Sequence, residues 1–121
     1  MNNNKTINFR LENIQEELLI DSPSIIIQQL TSNDLNQLQE FIYDQLSDKD
    51  GAPQVGNLQI QQFSYDSTNK TGSFRLHFDL NRQFCCSDTT SCHTDYLDFT
   101  FKYMGSDLVL SAHYFDWSLT N

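Results

Sequence analysis

The loop at residues 85–93 holds all three cysteines of the chain and one histidine beside the last of them. Thiolate and imidazole groups are common zinc ligands, and a structural zinc site needs four ligands in a tetrahedral arrangement. Neighbouring residues on an extended chain point to opposite sides, so only one member of each adjacent pair can face a shared metal. The chain offers no second cysteine pair. A zinc site is an alternative expectation, in which one of Cys85 and Cys86 and one of Cys92 and His93 bind the metal together with Asp88 or Asp95.

A disulfide from Cys92 to Cys85 or Cys86 is the other way in which this loop can be cross-linked. Such a short loop gains about 2–3 kcal/mol at most from being closed. The odd number of cysteines and the absence of an export signal both favour free thiols. We therefore expect no cofactor, and we expect one or two of the cysteines to be small buried packing groups.

A second set of reactive side chains falls on the polar side of two predicted strands. Imidazole titrates near neutral pH, so a histidine beside a carboxylate on neighbouring strands suits acid–base chemistry. No Ser–His–Asp order, glycine-rich phosphate loop or metalloprotease spacing accompanies these residues. We expect that the protein is not an enzyme. The alternative is a small enzyme whose candidate residues are His77, Asp79, Asp98, Lys102 and His113.

The elements that carry these residues are predicted from period-two alternation of apolar and polar side chains. Apolar residues alternate through 74–80 and again through 97–103, which predicts two strands with one buried face each. A less regular strand is predicted over about 56–66, with a bulge near Gln61 and Gln62. Short turn-forming segments follow at 66–72 and 104–107. A last strand is predicted over about 108–119.

Helical spacing dominates the first part of the chain. The clearest stripe of apolar residues at three- and four-residue spacing predicts a helix over about 33–47. A shorter helix is predicted over 25–30, and another over about 11–20. Residues 7–11 also alternate, so a short strand or an extended lead-in is the alternative there.

Helices followed by strands with short connections are typical of the α+β class. We predict N-terminal helices packed on one face of a four-stranded antiparallel β-sheet, connected as a meander. The 121 residues suffice for a single domain with one core. Within it we expect a frayed tail at 1–6, a mainly helical part at 7–50 and the sheet at 54–119.

The net charge of the chain is −9. Residues 1–50 contain three basic and nine acidic side chains, whereas residues 51–121 contain four basic and seven acidic ones. Such a negative field repels nucleic acid and anionic membranes, and it accelerates the approach of a basic partner. We therefore expect neither nucleic acid nor membrane as a partner. We expect a basic protein.

The acidic residues of the predicted helices are the first candidates for contact with that protein. The aromatic residues near the C-terminus are the second, because buried aromatic side chains anchor many interfaces. The predicted partner-binding residues are Glu12, Glu16, Asp34, Glu40, Asp44, Asp116 and Trp117.

Size and charge suggest a functional class only by analogy. Bacterial immunity proteins, which mask secreted toxins, are small, acidic and intracellular, and we expect an inhibitor or immunity-type protein of this kind. The N-terminus lacks a basic patch followed by an apolar run, which predicts no signal peptide. No apolar run is long enough to cross a bilayer. The expected location is the cytoplasm.

Overall fold

The structure is a computed structural model, and it describes residues 6–46, 49, 51–83 and 90–113. Within these residues the chain forms five strands and three helices. Their order is β1 (Thr6–Leu11), α1 (Glu16–Asp21), α2 (Ile25–Gln28), α3 (Ser32–Gln45), β2 (Gln54–Asp66), β3 (Thr71–Gln83), β4 (Thr90–Met104) and β5 (Asp107–His113).

All neighbouring strands of the sheet are antiparallel, and their spatial order is β1-β5-β4-β3-β2. The α+β class with an antiparallel sheet is thus confirmed, but the predicted number of four strands is wrong. Strands β2 to β5 follow one another as a meander, and β1 adds a fifth strand beside β5. Phe9 pairs with Leu110 and Leu11 with Leu108. The side chains of this segment are buried at every second position, so the segment is a strand and not the start of a helix.

The first helix is shorter than predicted. The sequence indicates a helix over about 11–20, whereas α1 begins at Glu16 because Leu11 still belongs to β1. Asn13, with a φ of 58°, makes the turn between the two elements in the left-handed region that asparagine tolerates.

The helix predicted over about 33–47 is confirmed as α3. Its first turn is closed by a capping box: the Asp34 N–H donates to Thr31 Oγ1 at 3.1 Å, and the Thr31 N–H donates to Asp34 Oδ2 at 3.0 Å. These two bonds satisfy donors that a helix start otherwise leaves open.

The predicted bulge in the first long strand is confirmed. The pairing of β2 with β3 shifts between Gln61 and Ser64, and again between Gly56 and Gln59. Gln62 and Asn57 take positive φ values of 54° and 51° at these two places. The second bulge was not predicted.

Alternate residues of the central strands are buried on one face of the sheet, as their sequence pattern indicates. The helices contribute Leu19, Ile26, Leu38 and Ile42 to the same core. Ile26 and Leu38 line one small apolar void together with Phe74 and Phe99. Helical and sheet side chains therefore share one core, whose strand residues are Ile7, Phe9, Leu11, Phe74, Leu76, Phe78, Leu80, Leu97, Phe99, Phe101, Leu108, Leu110 and Ala112.

Two predictions lie partly outside the described residues: residues 1–5 of the expected tail and residues 114–119 of the last strand. Among the described helices, none is long and apolar enough to span a membrane.

Candidate functional site

The segment from residue 12 to residue 46, which contains all three helices, has an unusual charge distribution. It carries seven carboxylates and no lysine, arginine or histidine. The nearest basic residues are Arg10 before it and Lys49 after it. We call residues 12–46 the acidic helical segment.

On α3 the acidic side chains lie opposite the buried stripe. Glu40 is two residues from both Leu38 and Ile42, so it lies about 160° around the helix from each of them at 100° per residue. Leu38 and Ile42 are buried, whereas Glu40 and Asp44 are exposed. Asp44 follows Glu40 by one turn, and the two carboxylates therefore share the solvent-facing side of the helix.

The same arrangement recurs on α1. Leu19 is fully buried, and Glu17 and Asp21 lie two residues before and after it. Both carboxylates are exposed and lie opposite Leu19 by the same helical geometry. Each of these helices thus presents a pair of carboxylates to solvent at four-residue spacing.

Five carboxylates of this segment are exposed and have no partner in the described part of the chain. Among the described residues, no hydrogen bond or ion pair reaches the side chains of Glu12, Glu17, Asp21, Glu40 and Asp44. Three of them, Glu12, Glu40 and Asp44, were predicted from the sequence as partner-binding residues.

The two other predicted carboxylates of this segment have structural roles. Asp34 belongs to the capping box of α3. Glu16 Oε2 accepts a hydrogen bond from Lys70 Nζ at 2.8 Å and one from Tyr65 Oη at 2.7 Å. The Lys70 bond, followed by the Tyr65 bond, lowers the pKa of Glu16. Burial, followed by the bond to Glu16, raises the pKa of Tyr65.

Large apolar side chains are also exposed on these helices. Leu18 and Ile20 on α1 are 43% and 50% exposed, and Leu35 and Tyr43 on α3 are partly exposed as well. The Lys49 ammonium lies 5.5 Å from the centre of the Tyr43 ring. The acidic helical segment therefore combines free carboxylates with apolar groups.

The polar face of the sheet, on the opposite side from the core, has a different character. We call it the outer sheet face, and it includes Arg10, Arg75, His77, Asp79, Tyr96, Asp98, Thr100, Lys102 and His113. Arg75 donates to Asp98 through Nε at 2.7 Å and Nη2 at 3.1 Å, and its guanidinium lies 3.8 Å from the Tyr96 ring centre. Arg10 forms an ion pair with Asp107 at 2.8 Å. Each of these two arginines is thus paired with a carboxylate.

The residues of the enzyme alternative do share the outer sheet face. His77 packs against the Tyr96 ring at 5.9 Å between centroids. Asp79 accepts hydrogen bonds from Asn57 at 3.2 Å and Thr94 at 3.4 Å. In the described part of the chain, no hydrogen bond joins a histidine to a carboxylate. Catalysis at this face stays a prediction.

Two of the four cysteine and histidine residues predicted as zinc ligands, Cys85 and Cys86, lie outside the described residues. Cys92 is exposed and has a free thiol, so it is not one of the expected buried cysteines. Cys92 pairs with Asn81 and His93 with Leu80, which places the two side chains on opposite faces of β4. Among the described residues, no three His, Cys, Asp or Glu side chains are grouped for a metal. The zinc alternative stays a prediction.

Cys92 also lines a surface depression with a volume of about 400 Å³. Its other walls are mostly amide side chains and backbone, including Gln54, Asn81 and Gln83. Asp116 and Trp117, the two remaining predicted partner-binding residues, lie outside the described residues.

The sequence reading missed Glu17 and Asp21 as free carboxylates. The signal was available, because the absence of any cation from residue 11 to residue 48 can be read directly from the chain. The roles of Tyr65 and Lys70 had no such signal, since they lie about fifty positions from Glu16 along the chain.

Comparison of the chain with models of protein families, with curated protein sequences and with solved structures gives no significant match. The function is therefore argued from the charges and contacts described above.

Proposed function

We propose that this protein is a binding module that docks a basic protein on the acidic helical segment, as an inhibitor or immunity-type protein does. In this proposal it acts in the cytoplasm. The observation that carries the proposal is the set of five exposed carboxylates that have no partner among the described residues, in a segment without a single cation. A surface of this kind attracts a partner of opposite charge and accelerates its association.

The positions of two carboxylates give the proposal further support. Asp21 is the last residue of α1, and Asp44 lies in the last turn of α3. The C-terminal end of a helix is the negative end of its dipole, so a carboxylate there is unfavourable for the helix. Neither helix has a basic residue in its last turn, and the cation that reaches the end of α3 is Lys49, whose Nζ donates to the Leu46 carbonyl oxygen at 2.8 Å. The helix dipole therefore favours neither of these two acidic groups, which a basic partner would stabilise.

Exposed apolar groups beside the carboxylates supply the second part of a binding surface. Electrostatic attraction mainly sets the rate and orientation of encounter, while buried apolar contacts slow dissociation. Leu18 and Ile20 lie between Glu17 and Asp21 in the chain, and Tyr43 lies next to Asp44. In this proposal the partner offers arginine or lysine side chains together with apolar ones.

The proposal is tested with a fluorescently labelled octa-arginine peptide as the probe, and its binding is measured by anisotropy. The variant Glu40→Gln/Asp44→Asn removes two free carboxylates from α3. We expect its affinity for the probe to fall by about 3- to 5-fold near 20 mM salt, and by less near 150 mM, where exposed charges are screened.

The matched control is Asn8→Lys/Thr100→Lys. It raises the net charge of −9 by the same two units, but at exposed positions of the outer sheet face. If both double variants weaken binding equally, only the total charge matters and the proposal fails. It also fails if the Glu40→Gln/Asp44→Asn protein binds the probe as tightly as the parent.

A further inference from the structure

We infer that Tyr65 and Lys70, acting through Glu16, are positioning residues that hold α1 so that its free carboxylates face the partner. This inference rests on the function proposed above and concerns the same surface. Glu16, Tyr65 and Lys70 are called the Glu16 cluster.

The helix α1 is too short to hold its position by itself. It has only six residues, and its N-cap residue, Gln15, makes no side-chain capping bond. Helices this short are unstable in water by themselves, because the first turn costs more than its few hydrogen bonds return. Its orientation must therefore come from tertiary contacts.

Tertiary contacts hold both α1 and the residues just before it. Leu19 is fully buried in the core, and so is Ile14, two residues before the helix. The N–H and the carbonyl oxygen of Ile14 are both hydrogen-bonded to the sheet side of the fold. Glu16, in the first turn, adds a side-chain attachment to Tyr65 near the end of β2 and to Lys70 in the turn that follows. This attachment restricts the rotation of α1 that the two buried side chains still allow.

The residues that hold Glu16 are themselves fixed by the sheet. The Tyr65 ring stacks on Phe101, with ring centres 5.8 Å apart. Phe101 lies directly over Gly72, its partner in the adjacent strand, and a Cβ atom there would collide with the Phe101 ring. The Tyr65 hydroxyl is thus placed by packing in the sheet before it meets Glu16.

Lys70 is placed by the turn that contains it. Its backbone takes a φ of 59°, its N–H donates to the Asp66 carbonyl oxygen at 2.8 Å, and its carbonyl oxygen accepts from the Tyr103 N–H at 2.8 Å. The Asp66 carboxylate accepts bonds from Thr68 and Asn69 in the same turn. The lysine therefore extends toward Glu16 from an ordered backbone.

The position of α1 determines where its two free carboxylates lie. Glu16 points to the sheet turn and Leu19 into the core, so Glu17 and Asp21 are left on the solvent side. Rotation of α1 about Leu19 would move both carboxylates relative to the pair on α3. The Glu16 cluster therefore preserves the arrangement of the acidic surface, and a preorganised surface binds with a smaller entropic cost.

Hydrogen exchange tests the first half of this inference. The reporters are the Leu19 N–H, which donates to Gln15, and the Ser22 N–H, which donates to Leu18. We expect Tyr65→Phe and Lys70→Met each to speed exchange at these amides about 5-fold, the effect of one lost hydrogen bond on local opening. The matched variants Tyr96→Phe and Lys102→Met, on the outer sheet face, should leave these amides unchanged.

A pH profile separates positioning through Glu16 from a general loss of packing. Lys70 and Tyr65 are the titratable groups that contact Glu16, and Asp66 and Tyr103 lie near Tyr65. Because the pKa of Glu16 is lowered below its usual 4.5, protection of α1 should be complete above that value. It should decline as the pH falls through the lowered pKa. In Glu16→Gln this pH dependence should be absent.

Binding of the octa-arginine probe tests the second half. Tyr65→Phe changes no charge, and we expect it to weaken binding about 2-fold by loss of preorganisation, while Tyr96→Phe leaves binding at the parent value. The inference is overturned if Tyr65→Phe binds like the parent, or if α1 exchange is the same in Tyr65→Phe, Lys70→Met and the parent protein. Failure of the proposed function gives another result, because binding is then also insensitive to Glu40→Gln/Asp44→Asn.

Discussion

The acidic helical segment and the outer sheet face are both exposed and polar, but they differ in whether their charged side chains are paired. On the sheet face, Arg75 and Arg10 each meet a carboxylate, Asp98 and Asp107 respectively. In the acidic helical segment, five carboxylates meet no cation in the described part of the chain, and two of them lie where the helix dipole disfavours them. Paired surface charges nearly cancel at a distance, whereas unpaired charges of one sign produce a field that extends about a Debye length into solvent.

Net charge alone is a poor guide to where a partner binds. Residues 1–50 contribute −6 to the net charge of −9, and residues 51–121 contribute the remaining −3. A surface that gives up some stability to keep unpaired charge is a better candidate for binding than one whose charges are already satisfied.

The largest expected effect is a loss of stability caused by overpacking within the sheet. A Cβ atom at Gly72 would collide with the Ser64 carbonyl oxygen and the Phe101 ring, whereas one at Gly56 would lie at an ordinary 3.7 Å from Asn81 Nδ2. We expect Gly72→Ala to lower the free energy of unfolding by about 2–4 kcal/mol through overpacking. Urea unfolding measures this loss, and Gly56→Ala is the matched control, which should change stability by less than about 1 kcal/mol.

A gain in stability, of intermediate size, is expected at the C-terminal ends of the two helices. Replacing Asp21 and Asp44 by asparagine removes negative charge from the C-terminal turns of α1 and α3. We expect the double variant to raise the free energy of unfolding by about 0.5–1.5 kcal/mol at low salt. The same variant should bind octa-arginine more weakly. Chemical unfolding and anisotropy on one preparation check both changes, and a less stable variant would contradict the account given for these two carboxylates.

The smallest effect is expected at a paired charge of the outer sheet face. Arg10→Gln breaks the exposed ion pair with Asp107, and such pairs contribute about 0–1 kcal/mol. We expect a small loss of stability that disappears in about 1 M salt. A gain in stability, as expected for the two aspartates, would mean that the sheet face and the helices do not differ in the way described.

Much of the fold can be predicted from local pattern. The helix α3 follows from the spacing of Leu38 and Ile42, and the central strands follow from alternation through residues 74–80 and 97–103. The bulge near Gln61 follows from a change of phase within one strand. Each of these signals lies within about fifteen residues, the range over which periodicity is informative.

The candidate site was only partly predictable, for the same physical reason. That the helical segment is acidic and lacks cations is a property of the sequence. Which carboxylates remain free is not, because Glu16 is satisfied by side chains 49 and 54 positions away. The pairing of Arg75 with Asp98 likewise depends on the register between β3 and β4.

The sequence by itself determined the α+β class, the strands of the meander and the sign of the charge on the helices. The tertiary structure alone decided that residues 6–11 form a fifth strand. Their alternation fits a short strand or an extended lead-in, and Leu11 also fits the helical spacing that follows it. Only the partners in β5, about one hundred positions away, bury them as a strand. It also decided which acidic groups are held inside the fold and which face solvent. Such choices depend on contacts between distant parts of the chain, and local periodicity carries no information about those contacts.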